Sequence, residues 1–559
     1  MGWLTGFAGA SKPAKLAIQH DKARLNIREP NLRAQAGGPA ETCLGGKLLD
    51  GGAFLVTGVG IRDDRILQEK DWVALLAQTE TDLADLDGHF VVLRWQPGKV
   101  ELFTDNTGTR TVHLLEHADG VYFSTRLDWL AQYAGPLEID YARFGAQWLL
   151  ANSLDTTSLV KEAIRLGAGG SAVVEHGRLE VNQRPWSCTT TQLDHSGEGY
   201  IHALQKALQV SGPKPWSLGL SGGLDSRALL ALGNFRNTHV WGPPDHPDVQ
   251  ISTDLAHSAG VAHEYLQIQL PEISDCIDLL RERVAFTQVI TPASATIERI
   301  AYGRLRKTGL GILDGGFGEI ARRQLMNQIV FRHALNLGKA HTTLPRILAG
   351  KADFFAPDVH KIMTGGAEDE FNACWQRLPS SLTTADKADV LSVQSRLPNF
   401  FGLEQNYLDN VCVTYMPYAQ PSVLKALFQV PLRLRWHGRL LRKLIRQHAF
   451  VLTDQPLVKG TVRYPFGLGT VSSLAYTRAK KKMGLAYCDP RPRDFIGHVR
   501  EFLLDLLHSA SVQDCDAYDQ AKLQLMADSF ASGDTSYIGQ LDWWLAFEAW
   551  RSMLSRENS

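Results

Sequence analysis

Cysteine is scarce in this chain of 559 residues: seven, at positions 43, 188, 276, 374, 412, 488 and 515, with no C-x-x-C pair. That excludes a disulfide framework and a structural zinc site, and it fits a reducing compartment. An excess of one charge is also lacking, since 58 Lys and Arg face 59 Asp and Glu for a formal net charge of −1. No global basic field exists to hold nucleic acid or an anionic membrane. No apolar run reaches the roughly 18 residues of a membrane span. The opening Met1-Gly-Trp-Leu-Thr-Gly-Phe lacks the basic start and apolar run of a signal peptide, and Gly6 breaks the myristoylation pattern. The expectation is a cytoplasmic, soluble protein with neither nucleic acid nor membrane as partner. With 44% apolar and 21% charged residues the composition is ordinary for folded domains, which excludes a disordered chain.

Three stretches differ in pattern. Residues 1–187 carry short apolar runs between turn signals, such as Phe54-Leu-Val-Thr-Gly, His89-Phe-Val-Val-Leu-Arg-Trp and Ser171-Ala-Val-Val-Glu, as in antiparallel sheets. Residues 188–199 are polar and read as a linker. Residues 200–559 begin with strands alternating with helices: Trp216-Ser-Leu-Gly-Leu, a helix from Arg227, His239-Val-Trp, a helix over 249–259, and a strand near 263–268. That alternation predicts a parallel sheet. From about 325 the pattern is mostly helical.

The most informative string is Leu220-Ser221-Gly222-Gly223-Leu224-Asp225-Ser226, set between a strand and a helix. Two glycines permit close approach of backbone to ligand, and free N–H groups at the helix start make an anion cradle. No Gly-Lys-Ser/Thr follows, so it is not a Walker loop. A carboxylate at Asp225 beside a phosphate site suits Mg²⁺ on a polyphosphate.

Ser-Gly-Gly-x-Asp-Ser resembles the PP-loop of ATP pyrophosphatases, and the whole chain resembles the asparagine synthetase family. Further stretches carry the likeness: Thr238-His-Val-Trp-Gly-Pro-Pro-Asp-His-Pro-Asp248, Leu310-Gly-Ile-Leu-Asp314-Gly-Gly-Phe-Gly-Glu319, and Pro456-Leu-Val-Lys459-Gly460 before Tyr464-Pro465-Phe466. In the N-terminal part, Leu86-Asp-Gly88-His-Phe90 and Thr104-Asp105-Asn-Thr-Gly108-Thr-Arg110 are similar to the family's glutaminase domain. The resemblance implies an Ntn-hydrolase-like antiparallel sandwich over 1–187. Over 200–559 it implies a PP-loop parallel sheet with a large helical extension, in all an α/β plus α+β chain. It also implies ATP and Mg²⁺ as cofactors. Leu220, Ser221, Gly222, Gly223, Asp225 and Ser226 would hold ATP, Asp225 the metal with Asp314 or Glu319 as second ligand, and Lys459 would be catalytic.

The chain departs from the family at three places. A class II glutaminase uses an N-terminal Cys, and residue 2 is Gly2, so glutamine hydrolysis there is not expected. The metal-binding Asp of the second loop falls on Gly318. The segment that carries Glu and Arg before a Pro reads Val413-Thr-Tyr415-Met-Pro417, with Tyr415 expected as a packed aromatic at a helix end. Of Arg322 and Arg323, adjacent on a helix, at most one can face a pyrophosphate. The run Arg478-Ala-Lys480-Lys481-Lys482 reads as a solvated helix face.

These features imply a ligase that forms AMP and pyrophosphate, adenylating a carboxylate and joining it to an amine. Relatives without the glutaminase Cys include β-lactam synthetases and the macrolactam cyclases of lasso peptides, which join an internal amine to an internal carboxylate. The expected substrate is a small molecule or peptide bearing both groups, and the expected partners are a precursor peptide and a leader protease. The alternatives are an asparagine synthetase fed by ammonia or a separate glutaminase, and a non-catalytic binding protein of the same fold.

Overall fold

The structure, a computed structural model, describes residues 2–9, 23–78, 83–150, 152–188, 192–212, 214–322 and 351–555. Arg323 and the chain up to residue 350 lie outside the described residues, as does Met1. The chain is a mixed α/β protein with two large antiparallel sheets, one parallel sheet and many helices.

The N-terminal sheets face each other. One orders its strands Ile164–Leu166, Val112–His117, Gly120–Ser124, Trp3–Ala8, Leu32–Gly37 and Ala23–Glu29. The other runs Arg178–Asn182, Ser171–Glu175, Lys99–Thr104, Asp87–Gln96, Ala53–Arg62 and Cys43–Lys47, with Arg65–Ile66 on the long Ala53 strand. All pairings are antiparallel. Period-two alternation sends Leu55, Val91 and Leu93 inward to Leu4, Ala34, Leu114 and Phe123 of the facing sheet. Phe54, Val56, Phe90 and Val92 point the other way, where Trp72, Leu75 and Leu76 of the helix Glu69–Leu76 cover them. The central strands Ala53–Arg62 and Asp87–Gln96 are therefore buried on both faces, which is why they read as nearly unbroken apolar runs.

The parallel sheet has the order Ala262–Leu266, Asn237–Trp241, Trp216–Gly219, Gly311–Leu313, Thr414–Tyr415. The chain adds two strands to one side of Trp216–Gly219, then returns to its other side. The order thus reverses between Trp216–Gly219 and Gly311–Leu313, and the loops leaving those two strands diverge to open a crevice. Tyr415 is buried in the edge strand, its ring 5.8 Å from that of Trp216. It is a packed aromatic as expected, but on a strand and not a helix end.

A buried polar junction joins the sandwich to the rest. Asp409, fully buried, takes Arg110 Nη2, His89 Nε2 at 3.0 Å, and the Thr414 backbone N–H and hydroxyl at 2.9 and 2.5 Å. Burial alone would raise its pKa, but Arg110 and His89 outweigh that and hold it at about 2. Gly88 N–H donates to Gln420 at 2.7 Å and Ser422 N–H to Asp87 at 2.9 Å.

Gly2 sits deep in the same domain. A Cβ there would lie 2.4 Å from Thr42 O and 2.7 Å from Thr57 Cβ, and Arg110 Nη1 donates to Gly2 O at 2.9 Å. The position has room for no side chain at all. Gly2→Cys is therefore expected to release no glutamate from glutamine and to lower stability by about 1–3 kcal/mol through overpacking. Measured glutamate release, with an unchanged melting temperature, would contradict both parts.

Candidate functional site

The crevice at the strand-order reversal is a cavity of about 550 Å³. Its walls include Leu220, Ser221, Gly223, Asp225 and Ser226 from the first loop and Asp314, Gly315 and Gly316 from the second. A Cβ on Gly315 would stand 3.2 Å from Ser226 N, so the two loops abut. Five of the six residues expected to hold ATP thus share one wall. The sixth, Gly222, turns its back: a Cβ there would meet Val458 at 2.3 Å, and its carbonyl accepts Val458 N–H at 2.9 Å.

The loop's amides are largely satisfied from within. Ser221 N–H donates to Ser226 Oγ and Gly223 N–H to Ser221 Oγ, each at 3.2 Å. Gly222 N–H donates to Asp248 at 2.8 Å. The sequence reading expected these groups free and outward. The hydroxyls and Asp248 complete the turn instead, as buried N–H groups require partners. The first turn of the helix Leu224–Leu232 has no side-chain cap and its N–H groups have no intrahelical acceptors.

Asp225 is engaged in two parallel bonds with Arg322, Nε to Oδ1 and Nη2 to Oδ2, both 2.8 Å. Arg322 pays for burial only in part, because Asp225 keeps its guanidinium charged well above the ordinary range. Tyr418 donates its hydroxyl to Asp225 O at 2.9 Å. Gly318 is packed under this pair: a Cβ there would lie 2.6 Å from Asp225 Cβ and 2.8 Å from the Tyr418 ring. No side chain fits at 318 while Asp225 and Tyr418 stand as they do.

The three carboxylates expected to hold metal do not converge. Asp314 lines the cavity, accepts Gly316 N–H at 3.0 Å, and has its pKa raised by burial. Glu319 pairs with Arg396 and is not in the wall. Asp225 is spoken for by Arg322. Among the described residues no group of three His, Cys, Asp or Glu side chains is placed to hold a metal ion. As arranged, this donor set does not fit Mg²⁺ held by the protein alone.

A nucleotide fits the cavity better. Its volume is in the range of small-molecule sites. His239 lines it, bound through Nδ1 to Ser217 Oγ at 2.8 Å, while its buried Nε2 has no partner among the described residues. Burial, with a smaller push from His263, drives its pKa down to about 3, so the imidazole is neutral. Trp241, Tyr302, His246, Asp248 and Arg491 complete the walls. Arg491 lies 5.2 Å from the Trp241 ring centroid. Sequence reading quoted the strand with His239 and Trp241 but gave them no role. Thr238, His239 and Val240 are all buried in this central strand, so no alternation in the sequence sets the wall residues apart. Arg491, far along the chain, offered no signal either.

Lys459 is not in the wall. It ends the strand Leu457–Lys459 of a hairpin with Val462–Tyr464, next to Val458, which is in the wall. Burial, then the positive charges of Arg322, Arg478 and Lys481, lower its pKa to about 8. Its neighbour Val458 is in the wall, so Lys459 stands at the rim.

No family model matches the chain, and no curated protein matches it. Among solved structures, a glutamine phosphoribosylpyrophosphate amidotransferase from B. subtilis complexed with ADP and GMP is similar at 12% identity and a TM-score of 0.21, over 63% of this chain and 74% of that one. A structure described as the allosteric regulatory enzyme of purine biosynthesis is similar at 10% identity and a TM-score of 0.21, over 63% and 73%.

Proposed function

We propose that the chain is an enzyme: an ATP-dependent ligase that forms AMP and pyrophosphate and makes an amide, acting on a substrate that carries both carboxylate and amine. The observation that supports this most is the placement of the Ser221–Ser226 loop at the strand-order reversal, facing a cavity of nucleotide size. The substrate carboxylate oxygen attacks the α-phosphorus, and the bond to pyrophosphate breaks. The amine nitrogen then attacks the acyl carbon, loses a proton, and AMP leaves with the electron pair. The protein's part is positioning and charge neutralisation. The helix start at Leu224 faces phosphate oxygens, Arg322 exchanges Asp225 for them, and Lys459 supports the oxyanion. Such ligases use Mg²⁺ on the polyphosphate, and here the nucleotide itself would have to supply most of its ligands.

The absence of room at Gly2 favours an amine already on the substrate over one cut from glutamine in this domain. The test supplies ATP with a panel of peptides bearing a free N-terminus and an internal Asp or Glu, and separately with aspartate plus ammonium. AMP and pyrophosphate formed with a peptide is the expected result. ADP and orthophosphate would overturn the reading, and turnover with aspartate and ammonium alone would make the chain an asparagine synthetase. No nucleotide consumed with any of them, although ATP binds, would leave a non-catalytic binding protein.

A further inference from the structure

Charge is balanced over the whole chain but not along it. Residues 431–485 hold twelve Lys and Arg against one acid, Asp454, a net of +11 in a chain whose total is −1. This segment folds as one body of helix Arg439–His448, hairpin Leu457–Tyr464 and helix Thr470–Lys482. Arg442 ties it together, donating to Phe466 O at 2.9 Å and Leu468 O at 2.7 Å. The first helix buries Leu440, Leu441, Leu444 and Ile445, which turns Arg439 and Arg446 to solvent. Arg478, Lys481 and Lys482 are exposed on the second. Among the described residues none of these five cations pairs with a carboxylate.

Large apolar side chains of the same segment also stand exposed: Phe450 at 68%, Met483 at 63%, Leu485 at 60% and Trp436 at 43%. Clustered cations cost stability by mutual repulsion, and exposed apolar groups contribute nothing in water, so their combination marks a binding face. The face is also continuous with the cavity, because the helix Thr470–Lys482 packs against the strand Val462–Tyr464, whose hairpin partner Leu457–Lys459 carries Val458 of the wall.

We infer that this face docks the substrate, an acidic polypeptide segment bearing large apolar side chains, and leads its reacting carboxylate to the cavity. This rests on the ligase reading above. Continuity with a concave site favours a substrate chain over a flat anionic membrane. The aliphatic Met483 and Leu485 beside the cations suit apolar side chains of a polypeptide, and an RNA control decides whether Phe450 and Trp436 stack bases instead.

The experiment measures anisotropy of a labelled peptide in which Glu alternates with Leu and Phe. Controls are the same peptide with Lys for Glu, a single-stranded RNA, and phosphatidylserine vesicles. The full-length protein should bind the Glu peptide, with affinity falling as salt rises, and Arg439→Glu with Arg446→Glu and Lys482→Glu should weaken it about tenfold. These three lie outside the cavity wall, so ATP binding should be unchanged, which also reports that the variant is folded. Equal binding of the Lys peptide, an unaffected triple variant, or binding of RNA or vesicles in preference to the peptide would overturn the inference. Peptide binding without any AMP formation would leave the docking face standing and remove only the ligase reading.

Discussion

Lys459→Met is expected to abolish amide formation while leaving pyrophosphate exchange into ATP near the parent rate. On the proposed ligase reading, the second step would develop negative charge on the acyl oxygen as the amine adds, and a compact ammonium at the rim would stabilise that oxygen. Removing one such contact costs about 10²–10³ in rate. Lys459→Arg should rescue poorly, since a planar fork does not replace a point charge at one oxygen. The pH dependence gives the sign of the role. An oxyanion-stabilising Lys must be protonated, so amide formation should fall as pH rises through about 8, where burial and its cationic neighbours place this amine. Lys481→Gln removes one of those neighbours and should move the fall to higher pH. A rate that rises through the same pH would make Lys459 a base. Both variants within about twofold of the parent would make it solvated surface. If exchange and product formation fell together, Lys459 would belong to ATP binding.

The second large effect is on stability. Asp409→Asn should cost about 3–5 kcal/mol, because it leaves Arg110 buried without a counter-charge while removing no volume. The expected observation is a lowered melting temperature at neutral pH, with the melt of the sandwich separating from that of the parallel-sheet region. The double variant Asp409→Leu with Arg110→Met should recover only part of the loss, since it removes the unpaired ion but leaves Thr414 N–H and His89 without the acceptor they use. The pH sign follows from the depressed folded pKa. Asp409's contribution is complete above the unfolded value of about 4 and is lost as pH falls towards 2. An Asp409→Asn protein as stable as the parent at pH 7 would show the junction to be neutral in energy.

The parallel-sheet strands were legible because each is a short apolar run between a loop and an amphipathic helix, and the observed bounds of the first three differ by only a residue or two. The Ser221–Ser226 string could be placed at a strand end from its glycines. What the string could not reveal is which groups close the turn. Asp248 and Arg322 come from 26 and 97 residues further on, and only the folded sheet brings them to Gly222 and Asp225. For the same reason His89 and Arg110, quoted for their likeness to a glutaminase domain, carry no sequence sign that they clasp Asp409, some 300 residues away. The basic run at 478–482 reads as a solvated face in one dimension, and it is solvated. Its meaning changes only with the exposed cations that the helix Arg439–His448 adds within the same segment.

Gly318 has a consequence for mutational history. An acidic residue at that place meets Asp225 Cβ and the Tyr418 ring within 3 Å, so placing one there alone would push aside the neighbours that set the geometry of Asp225. Tyr418 would have to shrink in the same event, or Arg322 release its partner. Gly318→Asp alone sets two carboxylates side by side only if Asp225 or Tyr418 shifts. The site is therefore locked in by its own packing, and engineered variants seeking a second acid here should be selected as pairs at 318 and 418.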